Sequence, residues 1–185
     1  MGAGVIVRAS QAGDAEALAA IYGHDVLHGF GTFEEVPPSA EEMAARRLAI
    51  VERGLPHLVA EAEGKVLGFA YAGLFRPRAA YRFTVEDSVY VAPDAHGRGV
   101  GKAMLTEVLA ACEALGLRQV MAVIGDSGNA GSIGLHTSLG FRHAGVCQSV
   151  GFKHGRWVDT VWMQKPLNGG DESPPAAGGL TLTGH

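Results

Sequence analysis

The sequence predicts a mixed α/β fold, a mixed sheet with helices on both faces. Three observations carry this. Short β-branched runs and helical apolar repeats alternate along the chain. Two strands meet early as a hairpin, in "HLVAEAEGKVLGFAYAGLF". A strand–helix–strand unit follows in the second half, which brings helices onto the sheet faces.

The elements follow in order. "VIVRAS" is a β-branched run and predicts a first strand. After "QAGD", apolar residues recur at Leu18, Ile21, Tyr22 and Val26, a helical spacing. "HGFGTFEEVPP" breaks that pattern with Gly and Pro. "SAEEMAARRLAIVERG" opens with Ser39-x-x-Glu42, a capping box, and closes on Gly54 as a C′ residue. The early hairpin turns at Glu63-Gly64, and "RPRAAYR" is a polar loop. "FTVEDSVYVAP" is a strand ended by Pro93. A helix then carries Met104, Leu105, Val108, Leu109, Cys112 and Leu115 on one face. "LRQVMAVIG" is a buried strand, "NAGSIGLHTSLGF" a short helix, and "GVCQSVGFKHGRWVDTVWMQK" a closing hairpin. From Leu167 onward the chain is rich in Gly, Pro and small polar residues, which predicts a disordered tail over 167–185 behind one domain over 1–166.

Composition excludes several classes. The chain has 185 residues, 47% of them hydrophobic, enough for one domain with its own core. A net charge of -4 argues against sequence-independent nucleic-acid binding. No apolar run approaches the ~20 residues of a membrane span. The N-terminus shows no apolar signal segment, and Gly2 lacks the hydroxyl residue that myristoylation requires. Cys112 and Cys147 are too few for a disulfide framework; both are expected as reduced core residues, in keeping with a cytoplasmic protein. His24 and His28 have zinc-helix spacing, but no third ligand accompanies them, so they are taken as ordinary helix residues and no metal is expected.

The stretch "HGRGVGK" carries the chemistry. It places His96, Gly97, Arg98, Gly99, Val100, Gly101 and Lys102 between a strand and a strong helix. A Walker loop requires Gly where His96 stands and a hydroxyl where Ala103 stands, so that pattern fails twice. A dinucleotide fingerprint fails as well, because its third glycine falls on Met104 or Lys102. What remains is either a set of free backbone amides that can cradle an anion, or a glycine-rich turn with solvated cations.

The flanks add a resemblance. Strand, "HGRGVGK", helix, strand and then "NAGSIGLHTSLGF" resemble the GCN5-related N-acetyltransferase superfamily. "TVEDSVYV", "VMAVIG", "SIGLHTSLGF", "VGFKHGRWVDTVWMQ" and "GTFEE" resemble its phosphinothricin and methionine sulfoximine acetyltransferases, over Val5 to Pro166. The resemblance implies a mostly antiparallel twisted sheet and acetyl-coenzyme A as cosubstrate, its pyrophosphate cradled by the glycine loop. His96 departs from the family's Gln or Arg. It also implies pantetheine contacts along Ser88, Val89, Tyr90 and Val91, contacts to the coenzyme from Asn129 and Ser132, and a homodimer.

Acetyl transfer to an amine needs a base, a polarised thioester carbonyl, alignment and a neutralised leaving thiolate. Glu86 lies in an apolar strand, where burial raises a carboxylate pKa; on residues alone it is either a base or a solvated edge carboxylate. The family places its catalytic Glu here. Asp87 points to the opposite face. His136 stands where this subfamily carries His and wider relatives carry Tyr; it is either a catalytic group or a helix histidine packed beside Leu135 and Leu139. Cys147 has no evident base, which argues against an acetyl-cysteine route. For the acceptor, Arg76 and Arg78 offer guanidinium groups for a carboxylate, Phe30, Thr32, Phe33 and Glu34 form a candidate pocket loop, and Tyr81 is near. Lys153 and Trp157 belong either to that site or to a dimer contact. The expected function is acetyl transfer to the α-amino group of methionine sulfoximine, methionine sulfone or phosphinothricin. Another small amine as acceptor, or a coenzyme A-binding sensor without catalysis, are the alternatives.

Overall fold

A computed structural model describes residues 4–176 and 178–181. Seven strands, β1 (Ile6–Ala9), β2 (His57–Ala62), β3 (Lys65–Leu74), β4 (Thr84–Val91), β5 (Gln119–Gly125), β6 (Arg142–Lys153) and β7 (Arg156–Pro166), form one sheet in the order β1-β2-β3-β4-β5-β7-β6. Every pairing is antiparallel except β4 with β5. Four helices, α1 (Ala15–His28), α2 (Ala40–Val51), α3 (Val100–Ala114) and α4 (Ala130–Ser138), cover it. Helices α1 and α2 pack against one face and α3 against the other.

The apolar stripes dictate this. Leu18, Ile21, Tyr22 and Val26 of α1 are buried, as are Met104, Leu105, Val108, Leu109 and Cys112 of α3. Leu115 was expected on that face, but it caps α3 and is 44% exposed because the helix has ended. Ser39 caps α2 by accepting from the Glu42 amide at 3.1 Å, but the Glu42 carboxylate turns to Arg46 instead of closing the capping box. Helices α2 and α4 end alike, in left-handed glycines followed by a buried apolar residue. Gly54 donates to Val51 and Leu55 to Ile50; Gly140 donates to Thr137 and Phe141 to His136. This is the Schellman arrangement, and it turns Leu55 and Phe141 into the core.

Two further expectations are corrected. Cys147 is exposed on the outer strand β6, which pairs only with β7, while Cys112 is buried. The described residues after Pro166 are not a free tail. Leu167 is buried, and Asn168 Nδ2 donates to the carbonyls of Glu113 and Leu117 at 2.9 and 3.0 Å, covering the C-terminus of α3. Arg118 holds the Gly170 and Ser173 carbonyls, and the Leu180 amide donates to Arg82. Polar composition hid this, because backbone groups, the Asn168 side chain and two leucines make the contacts. Residues 177 and 182–185 lie outside the described residues.

Candidate active site

The parallel pair builds the site. Strands β4 and β5 are in register only from Thr84–Asp87 against Gln119–Ala122. Beyond that point Ser88 to Val91 pair with β3 alone, and Val123 to Gly125 with β7 alone, so the two strands part into a wedge. Backbone groups on the facing edges are left without sheet partners. A cavity of about 720 Å³ occupies the wedge. Ser88, Val89, Tyr90 and Val91 line it, with His96, Gly97, Gly99, Val100, Gly101 and Lys102 at one end and Asn129, Ser132 and His136 along another wall. Of the residues expected at the coenzyme, Arg98 alone does not line it.

Local geometry explains the loop. Gly97 and Gly99 have φ of +73° and +78°, a conformation that L side chains rarely adopt. Gly99 caps α3 without a side-chain acceptor, so the first amides of that 15-residue helix stay free at the cavity. A Cβ on Gly101 would lie 3.3 Å from Leu135 Cδ2 and 3.5 Å from Val91 Cγ2, so glycine lets α3 start close to the wedge. His96 donates through Nε2 to the Val91 carbonyl, 3.0 Å away, fixing the loop to the end of β4. Asn129 caps α4 by accepting from the Ser132 amide at 3.1 Å. These features fit a pyrophosphate at the α3 N-terminus and an extended amide-bearing arm along β4.

Glu86 and His136 lie on opposite faces of the sheet. Glu86, Ser88 and Tyr90 share the α1 face, where Tyr90 meets Tyr22 edge-on at 4.8 Å between ring centroids. Glu86 is partly buried, and burial pushes its pKa up against the pull of Arg76. Glu86 does not line the cavity. Asp87 faces the other way and pairs with His136, Nε2 to Oδ2 at 3.0 Å. The same imidazole donates from Nδ1 to the Ser132 carbonyl at 2.7 Å. Burial acts to lower the His136 pKa, but Asp87 and the Ser132 carbonyl outweigh it and the net shift is upward. Asp87, which strand alternation placed on the face opposite Glu86, is the partner that fixes His136.

The expected acceptor residues divide into two groups. Arg76 is exposed, donates to the Phe75 carbonyl at 2.8 Å and lies over the Phe75 and Trp162 rings. Arg78 is exposed beside a short 3-10 turn, and Tyr81 packs edge-on against Phe75. The second group is already occupied within the protein. Tyr22 donates to Glu34 at 2.8 Å and meets the Thr32 hydroxyl at 2.7 Å, while Arg46 grips both Glu34 oxygens at 2.7 and 3.1 Å. Lys153 was expected to hold substrate or a dimer; it is buried, and its ammonium donates to the Thr32 carbonyl at 2.7 Å. Phe30 lines the cavity, and Phe33 lies against Gly125 and Gly151. Tyr22, Asp25 and Arg46 were not singled out from sequence; Tyr22 sat in an apolar helical repeat and read as core. Trp157 is exposed beside Phe152. Among the described residues no group of three or more His, Cys, Asp and Glu is placed to hold a metal.

Residues 23–141 match the acetyltransferase (GNAT) family. The chain belongs to that family. This acetyltransferase is 56% identical to a phosphinothricin N-acetyltransferase from Alcaligenes faecalis, over 91% of the chain and 86% of that protein. It is 40% identical to an L-methionine sulfoximine/L-methionine sulfone acetyltransferase from Pseudomonas paraeruginosa, over 88% and 94%. Its fold matches the crystal structure of a phosphinothricin acetyltransferase from Sinorhizobium meliloti in complex with acetyl-coenzyme A, with a TM-score of 0.91, 48% identity and 95% of each chain covered. The mixed, mostly antiparallel fold expected from the sequence is the fold of this family.

Proposed function

We propose that this acetyltransferase moves the acetyl group of acetyl-coenzyme A to the α-amino group of a small oxygen-rich amino acid: methionine sulfoximine, methionine sulfone or phosphinothricin. One observation carries the reading of the donor site. The β4–β5 wedge opens at the free amides of α3, so a pyrophosphate and a pantetheine arm have adjoining places. The identities to relatives named for these acceptors support the acceptor class.

The attacking amine must be neutral. Glu86 takes its proton, through water, since Glu86 stands outside the cavity; burial suits it to this by raising its pKa. The amine then adds to the thioester carbonyl, which a β4 amide of Tyr90 or Val91 polarises; the C–S bond breaks as the amide forms, and the second proton that the nitrogen sheds passes to the departing thiolate to give the free thiol. His136, whose pKa Asp87 raises, stands in the cavity wall, and its imidazole stabilises the thiolate as it departs. Arg76 and Arg78 receive the acceptor carboxylate. The protein works as a homodimer, for which the exposed Val150, Phe152 and Trp157 on the β6–β7 edge supply an apolar patch. It acts in the cytoplasm, where acetyl-coenzyme A is available and its free cysteines stay reduced.

An amine panel tests the acceptor class, with acetyl-coenzyme A and thiol release as readout. The expected result is kcat/KM at least about tenfold higher for the three oxidised or phosphinyl amino acids than for common amino acids and polyamines, the ratio one well-made charged contact gives. Coenzyme binding without turnover on any amine would point to the sensor alternative.

A further inference from the structure

Lys153 ends β6 and is 2% exposed, yet among the described residues no carboxylate lies within ion-pair distance of it. Its ammonium reaches across to the Thr32 carbonyl at 2.7 Å and the Asp25 carbonyl at 3.5 Å. The Asp25 carboxylate sits beneath the same loop. A Cβ on Gly29 would come within 2.1 Å of its Oδ1, and one on Gly31 within 2.9 Å of its Oδ2, so the loop wraps that group closely. Asp25 Oδ2 is buried without a hydrogen-bond partner among the described residues. Asp25 and Lys153 attract one another through space, each opposing the cost of burying the other. The loop also meets the sheet at two glycines. A Cβ on Gly125 would lie 1.8 Å from the Phe30 carbonyl oxygen, and one on Gly151 would lie 2.2 Å from the Phe33 ring. Phe30 and Gly31 line the wedge cavity.

We propose that Lys153 and Asp25 form a latch that fixes the Gly29–Glu34 loop as the acceptor-side wall, so that Lys153 is a positioning residue and not a contact to the acceptor. A free surface lysine serves to bind a carboxylate; this one spends its donors on loop backbone. The latch joins α1 to the closing hairpin, so it aligns two parts of the chain that no strand pairing connects. The link from loop to acceptor rests on the function proposed above; the latch itself does not.

Lys153→Met, Asp25→Asn and the double variant test it in the full-length protein. Acceptor KM is expected to rise about tenfold or more in Lys153→Met, as for one lost charge-assisted hydrogen bond. The acetyl-coenzyme A Kd is expected to stay within about twofold, because the α3 amides are untouched. Hydrogen exchange of the amides in residues 30–34, measured without any acceptor, is expected to quicken while α3 and β4 keep their protection. The double variant should cost less than the sum of the singles, since the two charges are coupled. A raised KM with unchanged exchange would overturn the latch in favour of direct contact. Unchanged exchange and KM, or an equal loss of coenzyme affinity, would overturn it too. Should Lys153→Met fail to fold, Asp25→Asn carries the same readouts, because it removes the counter-charge and weakens the carboxylate's hold on the Gly31 and Thr32 amides while keeping the side chain's shape. If wild type turns over none of the proposed acceptors, the exchange measurement still decides the latch.

Discussion

His136 is held at both ring nitrogens, by Asp87 at 3.0 Å on Nε2 and by the Ser132 carbonyl at 2.7 Å on Nδ1. A carbonyl only accepts, so Nδ1 carries a proton, and a carboxylate on Nε2 favours a proton there as well. Asp87→Asn removes the charge that keeps the ring cationic and should lower its pKa. Because the wild-type value is raised, the ion pair stabilises fully below the ordinary histidine value of ~6.5 and is lost as pH rises through the folded value. The stability deficit of Asp87→Asn should therefore be largest near pH ~5–6 and shrink at higher pH. Urea unfolding across pH measures it; a deficit that does not vary with pH would count against the cationic pair.

Gly99→Val should weaken acetyl-coenzyme A binding by tenfold or more. Valine at φ of +78° is strained, and its branched side chain stands where the backbone must approach a pyrophosphate. The strain costs about 1–3 kcal/mol of stability, so titration calorimetry on the folded fraction is the right measurement. Wild-type affinity would remove this loop from the coenzyme site.

Arg76→Ala should raise acceptor KM roughly ten- to a hundredfold, about 1.5–3 kcal/mol for one charged hydrogen bond, and leave coenzyme affinity alone. Lysine should not rescue it fully, because the guanidinium also lies over Phe75 and Trp162. A fall in coenzyme affinity with unchanged acceptor KM would move Arg76 to the donor site.

Ending the chain at Pro166 should cost about 2–4 kcal/mol, from the buried Leu167 side chain and the Asn168 cap on α3. Equilibrium denaturation of the two lengths compares them directly. Equal stability would restore the reading of residues after Pro166 as a free tail.

Much of this was legible in the sequence, and the misses share a cause. Helical spacing identified the buried faces of α1 and α3, and the Gly54 stop of α2 behaved as its residue type dictates. The glycine loop was legible because a helix start and its glycines are contiguous. Asp25 and Asp87 were not, because each matters through a partner more than forty residues away, Lys153 and His136. Periodicity says which way a side chain points but not what it meets. Cys147 misled for a related reason: a cysteine count says that the thiol is reduced, not whether its strand is central or outermost.

The most direct test of the account is Glu86→Gln, followed by kinetics on both substrates across pH. Glutamine keeps the shape and cannot take a proton. With Glu86 as base, kcat should fall by ~10²–10⁴, and acetyl-coenzyme A affinity should hold. Burial raises the Glu86 pKa, so the wild-type rate should climb with pH through a group above the ordinary ~4.3 of a glutamate, and that limb should vanish in the variant. A variant with wild-type kcat at saturating acceptor and an unchanged pH profile would contradict the account.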